Sequence, residues 1–497
     1  MKTRRQFLRS TVGAAAALAV TARLHGADEQ PGMELNDVQS QLNATRVHQV
    51  VRPTTMDQVA EVLAAAAKDN RAVSVAGGRH AMGGQQFGSD TLHLDLTGMS
   101  RVLKLDREKG RIEVEAGIQW PELLTYLHKE QAGQASAWSI RQKQTGVDRV
   151  TMAGTLSANA HARGLKFKPI IDDVESFVLV DAAGKTQACS RTSNPELFRL
   201  AIGGYGLFGV ITQVRLRLVK RQKMERVVKV IPLRDLIDNV QQRIADGFVY
   251  GDCQYSTDID AESPEHPGVF SCYRPVANDV PIPENRKLSE EDWTKLYVLA
   301  RTDKKKAFAA YAGHYLKTNG QIYWSDLHQV AGLLDVRNLQ EALVRYAGQT
   351  EKGSEMITEV YVRRDNLAPF LRAARKDILD HQIDLTYGTI RFIEKDEESF
   401  LAWAKEQSVC VLCNLHVVHT AAGKEKAAAD LRRLIGRAIE FGGRYFLTYH
   451  RWATHDQVQA ANPQFVEFLK LKKKYDPSER FQSEWYRHYR KLFGDQL

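Results

Sequence analysis

Four glycines and a histidine crowd one short stretch of the chain, Gly77-Gly78-Arg79-His80-Ala81-Met82-Gly83-Gly84-Gln85. Glycine tolerates close backbone approach and positive φ, so consecutive N–H groups in such a loop can converge on an anion. A pyrophosphate suits that chemistry, and an imidazole held beside it offers a ring nitrogen for nucleophilic attack. The plainer alternative is a glycine-rich loop whose histidine only hydrogen-bonds. Residues 150–161 form a second stretch, Val150-Thr151-Met152-Ala153-Gly154-Thr155-Leu156-Ser157-Ala158-Asn159-Ala160-His161, whose small side chains let a flat ligand lie against the backbone. A third follows Asn194-Pro195-Glu196-Leu197-Phe198, where Gly203, Gly204, Gly206 and Gly209 precede Val210. Cys410, Cys413, His416 and His419 have the spacing of a metal site. Residues 409–418 read as a strand, however, and alternation puts Cys410 and His416 on one face and Cys413 and His419 on the other. Four ligands cannot then converge, and no metal is expected.

These stretches need elements to position them. Residues 56–69 carry apolar side chains at helical spacing, Val59, Val62, Leu63 and Ala66. Residues 72–76 form a short apolar strand that Gly77-Gly78 breaks, and 92–96 read as another. Residues 102–105 and 111–115 look like a hairpin, and 120–129 like a helix with Pro121 in its first turn. A long loop, 132–152, has few periodic signals. Residues 171–188 hold two strands joined at the turn cluster 181–184. Residues 195–201 read as a short helix, and 210–219 alternate as a half-buried strand. The stretch 50–219 is therefore an α+β unit. Beyond 220, strands (268–274, 357–362, 388–393, 409–418) alternate with helices (367–379, 424–441), as in helices packed on an antiparallel sheet. The tail, 463–493, reads as a helix, a turn at Tyr475-Asp476-Pro477 and an aromatic-basic segment.

The three glycine-bearing stretches, in this order and spacing, resemble the FAD-binding domain of the vanillyl-alcohol oxidase/p-cresol methylhydroxylase (PCMH-type) superfamily, and the runs 387–391 and 414–416 further on resemble its sugar, alditol and lactone-oxidising branch. The resemblance covers about 50–219 and extends to Lys474-Tyr475-Asp476-Pro477 and Arg480-Phe481 in the tail. It implies an α+β fold with a two-subdomain FAD-binding domain (46–222), a substrate or cap domain of antiparallel sheet and helices (223–443), and a C-terminal segment (444–497) that returns to the first domain. Residues 77–85 would wrap the FAD pyrophosphate, and His80 would bond covalently to the flavin. Gly154, Thr155, Ser157, Asn159 and His161 would flank the pyrophosphate and the ring, with Gly204, Gly209 and Val210 near the adenine. From Tyr387-Gly388-Thr389-Ile390-Arg391 and Asn414-Leu415-His416, Arg391 would bind a substrate oxygen and His416 would polarise a hydroxyl. Related enzymes often carry a lysine after a Gly-Gly-Arg run. Here Gly442-Gly443-Arg444 is followed by Tyr449, His450 and Arg451, which leaves Tyr449 or His450 as the base or as a buried structural pair. Two further departures are Leu207, where asparagine is common, and Ala162 after His161.

The implied reaction is hydride transfer from a CH–OH group of a small polyol, sugar or lactone-like molecule to FAD, with oxygen or another acceptor taking the electrons. Two alternatives stand beside it: a flavin-dependent reductase of a C=C bond on the same fold, and an exported flavin- or carbohydrate-binding protein without turnover.

The 497 residues suit two domains sharing an interface. The first 27 residues resemble a twin-arginine export signal, Arg4-Arg5 ahead of Phe7-Leu8 and the apolar run 12–22. That implies the Tat machinery as a partner, a periplasmic or secreted location, and a linker over 28–45. Net charge is +9, but Lys2, Arg4, Arg5, Arg9 and Arg23 precede the first acid, Asp28. Eight Lys/Arg against three Asp/Glu over 468–491 concentrate charge in the tail. A solvated basic helix, or one facing a phosphate-bearing cofactor, fits an exported protein better than a nucleic-acid footprint. Five cysteines without framework spacing argue against a disulfide scaffold. No run of 18 apolar residues occurs, so no membrane insertion is expected.

Overall fold

In the computed structural model of the chain, residues 32–497 are described apart from 135, 260–265, 285 and 330–335, with the side chains of 336–340 also left out. The export-signal segment lies outside the described residues.

The glycine-rich loop leaves the strand Val73–Ala76, which pairs in parallel with Leu92–Asp95, itself parallel to Gln49–Val51. Parallel pairing needs a crossover. The helix Met56–Lys68 supplies it, capped by Thr55, whose hydroxyl accepts from the Gln58 N–H. Val59, Leu63 and Ala66 face the core from this helix. A second sheet is antiparallel, in the order Thr186–Ser190, Val174–Val180, Val210–Arg217, Arg111–Glu115, Val102–Asp106. The third, wholly antiparallel sheet has eight strands among the described residues. Its order is Ile322–Trp324, Lys223–Pro232, Pro267–Val276, Tyr250–Tyr255, Leu385–Ile393, Ser408–Val418, Gly353–Arg363, Arg444–Tyr445.

Helices Leu367–Asp380 and Ala421–Glu440 pack on one another and on this sheet. Two more, Glu290–Thr302 and Lys304–Leu316, did not show in the sequence pattern. Their cavity-facing residues are mostly aromatic or small (Trp293, Tyr297, Ala300, Phe308, Tyr311, Tyr315, with Leu296) rather than a plain aliphatic stripe. A capping box of Ser289 and Asp292 starts the first of them.

One continuous apolar core links the sheets, from Val59 and Leu94 through Leu179 and Val360 to Trp485 and Tyr489. The tail closes on the parallel sheet. Val73 N–H donates to the Arg480 carbonyl (2.7 Å) and Gln482 N–H to the Val73 carbonyl (2.9 Å). The basic residues of the tail meet acids: Lys474 with Glu196, Arg487 with Glu484, Arg490 with Glu479, and the buried pair Lys472–Asp476.

From residue 32 on, the segment expected as a linker is a hairpin. Met33–Leu35 pairs with Thr45–Val47, and the buried Asp37 carboxylate accepts from the N–H groups of Gln39, Ser40 and Gln41 and from Asn43 Nδ2. One buried carboxylate thus organises a turn that looks merely polar in sequence.

Candidate active site

Two adjoining cavities occupy the seam between the glycine-bearing stretches and the eight-stranded sheet, sharing Gln39, Thr145, Gly146, Ile357, Tyr387 and Arg391. The first is walled by Gly77, Gly78, Arg79, His80, Ala81, Met82 and Gln85 on one side. Gly154, Ser157, Gly209 and Val210 wall another side, with Tyr205 and Gly206. Small side chains there let a ligand approach the backbone. Gly209 has φ +143, and a Cβ on it would lie 2.7 Å from Leu179 Cδ1 and 2.9 Å from the Val180 carbonyl.

Gln85 fixes the loop by accepting from the Gly83 N–H (3.1 Å) and donating to the carbonyls of Leu447 (3.1 Å) and Thr448 (2.8 Å). The loop 144–147, featureless in sequence, is held against the same cavity by the buried Lys143, which pairs with Asp148 at 2.6 Å and donates to the Gln144 carbonyl.

Other expected residues lie behind the wall. Gly83 and Gly84 shape the loop, and the Gly84 carbonyl accepts from the Trp485 N–H. Thr155 is buried and donates to the Thr151 carbonyl. Asn159 ends the helix Met152–Ala158 with φ 48 and bonds Asp396 at 2.8 Å. Gly204 packs on the preceding helix, where a Cβ would overlap the Leu200 carbonyl. Each supports the backbone of the cavity without facing it.

His80 is mostly buried. Burial, opposed by Asp37 and by a hydrogen bond to the Arg149 backbone, lowers its pKa to about 4, and its Nδ1 is buried with no hydrogen-bond partner. A neutral imidazole with an unmet nitrogen in the cavity wall is a nucleophile in waiting.

Where the two cavities meet, Glu359 gathers four groups. It accepts from His161 Nε2 (2.9 Å), Tyr361 OH (2.8 Å) and Tyr449 OH (3.0 Å), and Arg391 Nη1 lies 3.8 Å away. Burial alone would raise the carboxyl pKa. His161, then Arg391 and Tyr361, outweigh it and hold it near 2. Tyr449 lines the first cavity, and burial and Glu359 keep its phenol protonated, so it donates rather than accepts.

His450 faces away. It contacts Thr358 Oγ1 at 3.3 Å, and burial lowers its pKa to about 3. His416 lines neither cavity. Its Nδ1 lies 2.9 Å from Glu355 Oε1, and Glu355 lines the second cavity in its place.

Glu359 itself was not singled out from sequence. The available signal was an acid at an inward position of the strand Gly353–Arg363, between Ile357 and Tyr361. His161, Glu359 and Cys410 also bring possible metal ligands within 4.8 Å of one another. Glu359 is already satisfied there by three donors, and burial keeps the Cys410 thiol protonated. Cys410 lies in the strand Ser408–Val418 with Cys413 and His416.

Residues 47–190 match the family model of the FAD binding domain. L-gulonolactone oxidase of Bos taurus is 32% identical over 193 residues, which are 39% of this chain and 42% of that protein. The mitochondrial L-galactono-1,4-lactone dehydrogenase of Brassica oleracea is 33% identical over 186 residues, 37% of this chain and 30% of that protein. These matches span less than half the length of either relative. L-gulono-1,4-lactone dehydrogenase of Mycobacterium tuberculosis is 23% identical over 441 residues, 88% of this chain and 95% of that protein.

Proposed function

We propose that the protein is an FAD-dependent oxidoreductase that oxidises a CH–OH group of a polyol, sugar or lactone-like molecule. The observation that carries this is the junction. A cavity built from the FAD-domain loops adjoins, at Arg391 and Tyr387, a second cavity lined by aromatic and polar residues. The first cavity suits the cofactor, with its glycine wall and the unmet His80 nitrogen. The parallel and the five-stranded antiparallel sheets are then the two subdomains of the FAD domain (46–222), with 223–443 as the substrate domain and 444–497 as the returning tail.

FAD supplies the two-electron acceptor, and the protein orients and tunes. In this reading Arg391 binds the substrate oxygen. Glu359, held ionised by its neighbours and lining the first cavity, accepts the proton released from the hydroxyl. Tyr449 fixes the carboxylate. His80 holds the cofactor covalently, and its unmet Nδ1 supports that assignment. The names of the relatives point to lactones among the substrates. Arg4-Arg5 ahead of an apolar run supports export by the Tat route to the periplasm or beyond. Among the described residues no helix is long and apolar enough to cross a membrane.

The test is the visible spectrum of the purified protein, its acid-washed pellet, and anaerobic bleaching by a panel of alditols, aldoses and aldonolactones. Bleaching by one class supports the reading, and reoxidation in air then separates oxygen from another acceptor. A protein colourless after incubation with FAD overturns it. A yellow protein that no CH–OH donor bleaches, but that consumes an added reductant with an enone, points to C=C reduction instead.

A further inference from the structure

The second cavity, about 430 Å³, falls in the range of small-molecule sites. Among the described residues, the arginines and acids of its wall each meet an acidic or basic side-chain partner, with one exception. Arg163 Nε lies 3.6 Å from Asp252, Arg391 faces Glu359, and Glu355 holds His416. Arg226 lines the same cavity, is 9% exposed, and has no carboxylate at ion-pair distance among the described residues. Its guanidinium sits over the rings of Tyr315 (4.8 Å), Tyr273 (5.1 Å) and Tyr323 (5.5 Å). Nη1 donates to Thr318 Oγ1 and Tyr323 OH, and Nε has no partner.

Guanidinium does not shed its proton in proteins, so the charge stays. Ring contacts and two hydrogen bonds to neutral hydroxyls offset only part of the cost of taking an ion from water without a counter-ion. That imbalance is relieved by an anion from outside the chain. Further along the wall, the lining residues Glu355, Thr386 and Asn414 each hold a buried oxygen without a partner (Oε2, Oγ1 and Oδ1), polar chemistry that suits hydroxyls. Arg226 and Arg391 stand on strands three spacings apart in the sheet, roughly 14 Å. A molecule that addresses both is an extended chain of several carbons.

We propose that the second cavity takes a polyhydroxylated molecule carrying an oxyanion, a carboxylate or a phosphate, seated on Arg226, with its hydroxyl-bearing end directed to Arg391. Only the direction of that far end rests on the oxidoreductase reading. Arg226 is a specificity residue: it selects acidic over neutral polyols by supplying the charge-assisted bonds that a neutral analogue cannot use.

The test uses the full-length protein as purified. D-gluconate, its neutral counterpart D-gluconamide, and sorbitol 6-phosphate are titrated at constant ionic strength, followed by tryptophan fluorescence (Trp293 lines the cavity) and by any flavin absorbance. The expected result is that at least one anion binds about tenfold or more tighter than gluconamide, and which one does separates carboxylate from phosphate. R226M, checked for native circular dichroism, is expected to erase the preference, and R226K to keep part of it. Both anions binding no better than gluconamide to the wild-type protein overturns the proposal, and this arm needs no variant to fold. So does a folded R226M that keeps the wild-type preference. A colourless protein with the anion preference sinks the oxidoreductase reading and leaves this one standing. A yellow protein without the preference does the reverse.

Discussion

His161 and Glu359 are 198 residues apart in sequence, yet His161 Nε2 donates to Glu359 Oε2 at 2.9 Å inside the protein. One comes from the small-residue stretch of the FAD domain and the other from the middle of the eight-stranded sheet. The bond therefore pins the two halves of the molecule together at the point where the cavities join.

Replacing Glu359 with glutamine removes the charge that Arg391, His161, Tyr361 and Tyr449 all address. Breaking a buried pair from one side costs about 3–5 kcal/mol, so the melting temperature of E359Q should fall. Flavin reduction by substrate should slow by about 10²–10⁴-fold, the scale of a lost general base. The sign in pH follows from the carboxyl. Its folded pKa of about 2 lies below the ordinary 4.5. Its stabilisation is complete above about 4.5 and is lost as pH falls through 2. Acid titration followed by circular dichroism should show a destabilising step in the wild type over that window, reduced in E359Q. Equal acid curves would remove Glu359 from this role.

His80 gives a prediction of opposite site and similar sign. Its folded pKa of about 4 lies below the ordinary 6.5, so its neutral burial contributes stability above 6.5 that is lost as pH falls through 4. In flavin-free protein, where the imidazole is unsubstituted, H80Q should therefore flatten the pH dependence of the melting temperature between those values. It should also release the flavin from the acid-washed pellet, where the wild type keeps its colour. A coloured H80Q pellet would place the covalent bond elsewhere.

Local pattern carried much of this architecture. The helix expected at 56–69 is Met56–Lys68, that at 195–201 is Pro195–Ala201, and the alternating 210–219 is the strand Val210–Arg217. These segments bury one plain apolar face, which is what periodicity reports. Residues whose role is set by distant partners were harder to read. Glu359 looks like any acid in a strand until His161 and Arg391 arrive from elsewhere. His416 was expected over the cofactor, but strand pairing sets it beside Glu355, one layer behind the cavity. The helix Met152–Ala158 is two turns of small residues with no amphipathic signal. It is fixed instead by its Thr151 cap, which accepts from the Gly154 N–H.

Gly388 stands opposite Tyr255 in the sheet, and a Cβ there would overlap the Tyr255 ring. Tyr255 lines the second cavity and donates to the Leu412 carbonyl at 2.9 Å. G388A should thus destabilise by about 1–3 kcal/mol through overpacking and push the ring into the second cavity. The expected signature is a raised KM with an unchanged flavin spectrum. A loss of flavin instead would mean that the two cavities do not divide cofactor from substrate.

Asp476 tests what holds the tail on the parallel sheet. Its carboxylate is 1% exposed and accepts from the N–H groups of Arg480 (2.9 Å) and Phe481 (2.8 Å) while pairing with buried Lys472. Those two N–H groups set the turn that delivers Arg480 and Gln482 to Val73, the first residue of the strand leading into Gly77. Asp476→Ala leaves Lys472 as an unpaired buried cation and frees the turn. Both effects act on the same strand, so the loss should be large, about 3–5 kcal/mol. It should also spread to the cofactor loop, so that flavin content falls even in preparations that remain soluble. The double variant K472M/D476N keeps a turn-forming acceptor and removes both charges, and it should recover much of the stability. The measurement is chemical denaturation of the three proteins alongside flavin-to-protein absorbance ratios. Recovery of stability without recovery of flavin would show that the carboxylate's bonds to Arg480 and Phe481, rather than the ion pair, shape the cofactor loop. Full stability of D476A would mean that the tail is held by its aromatic packing on Trp485 and Tyr489 alone.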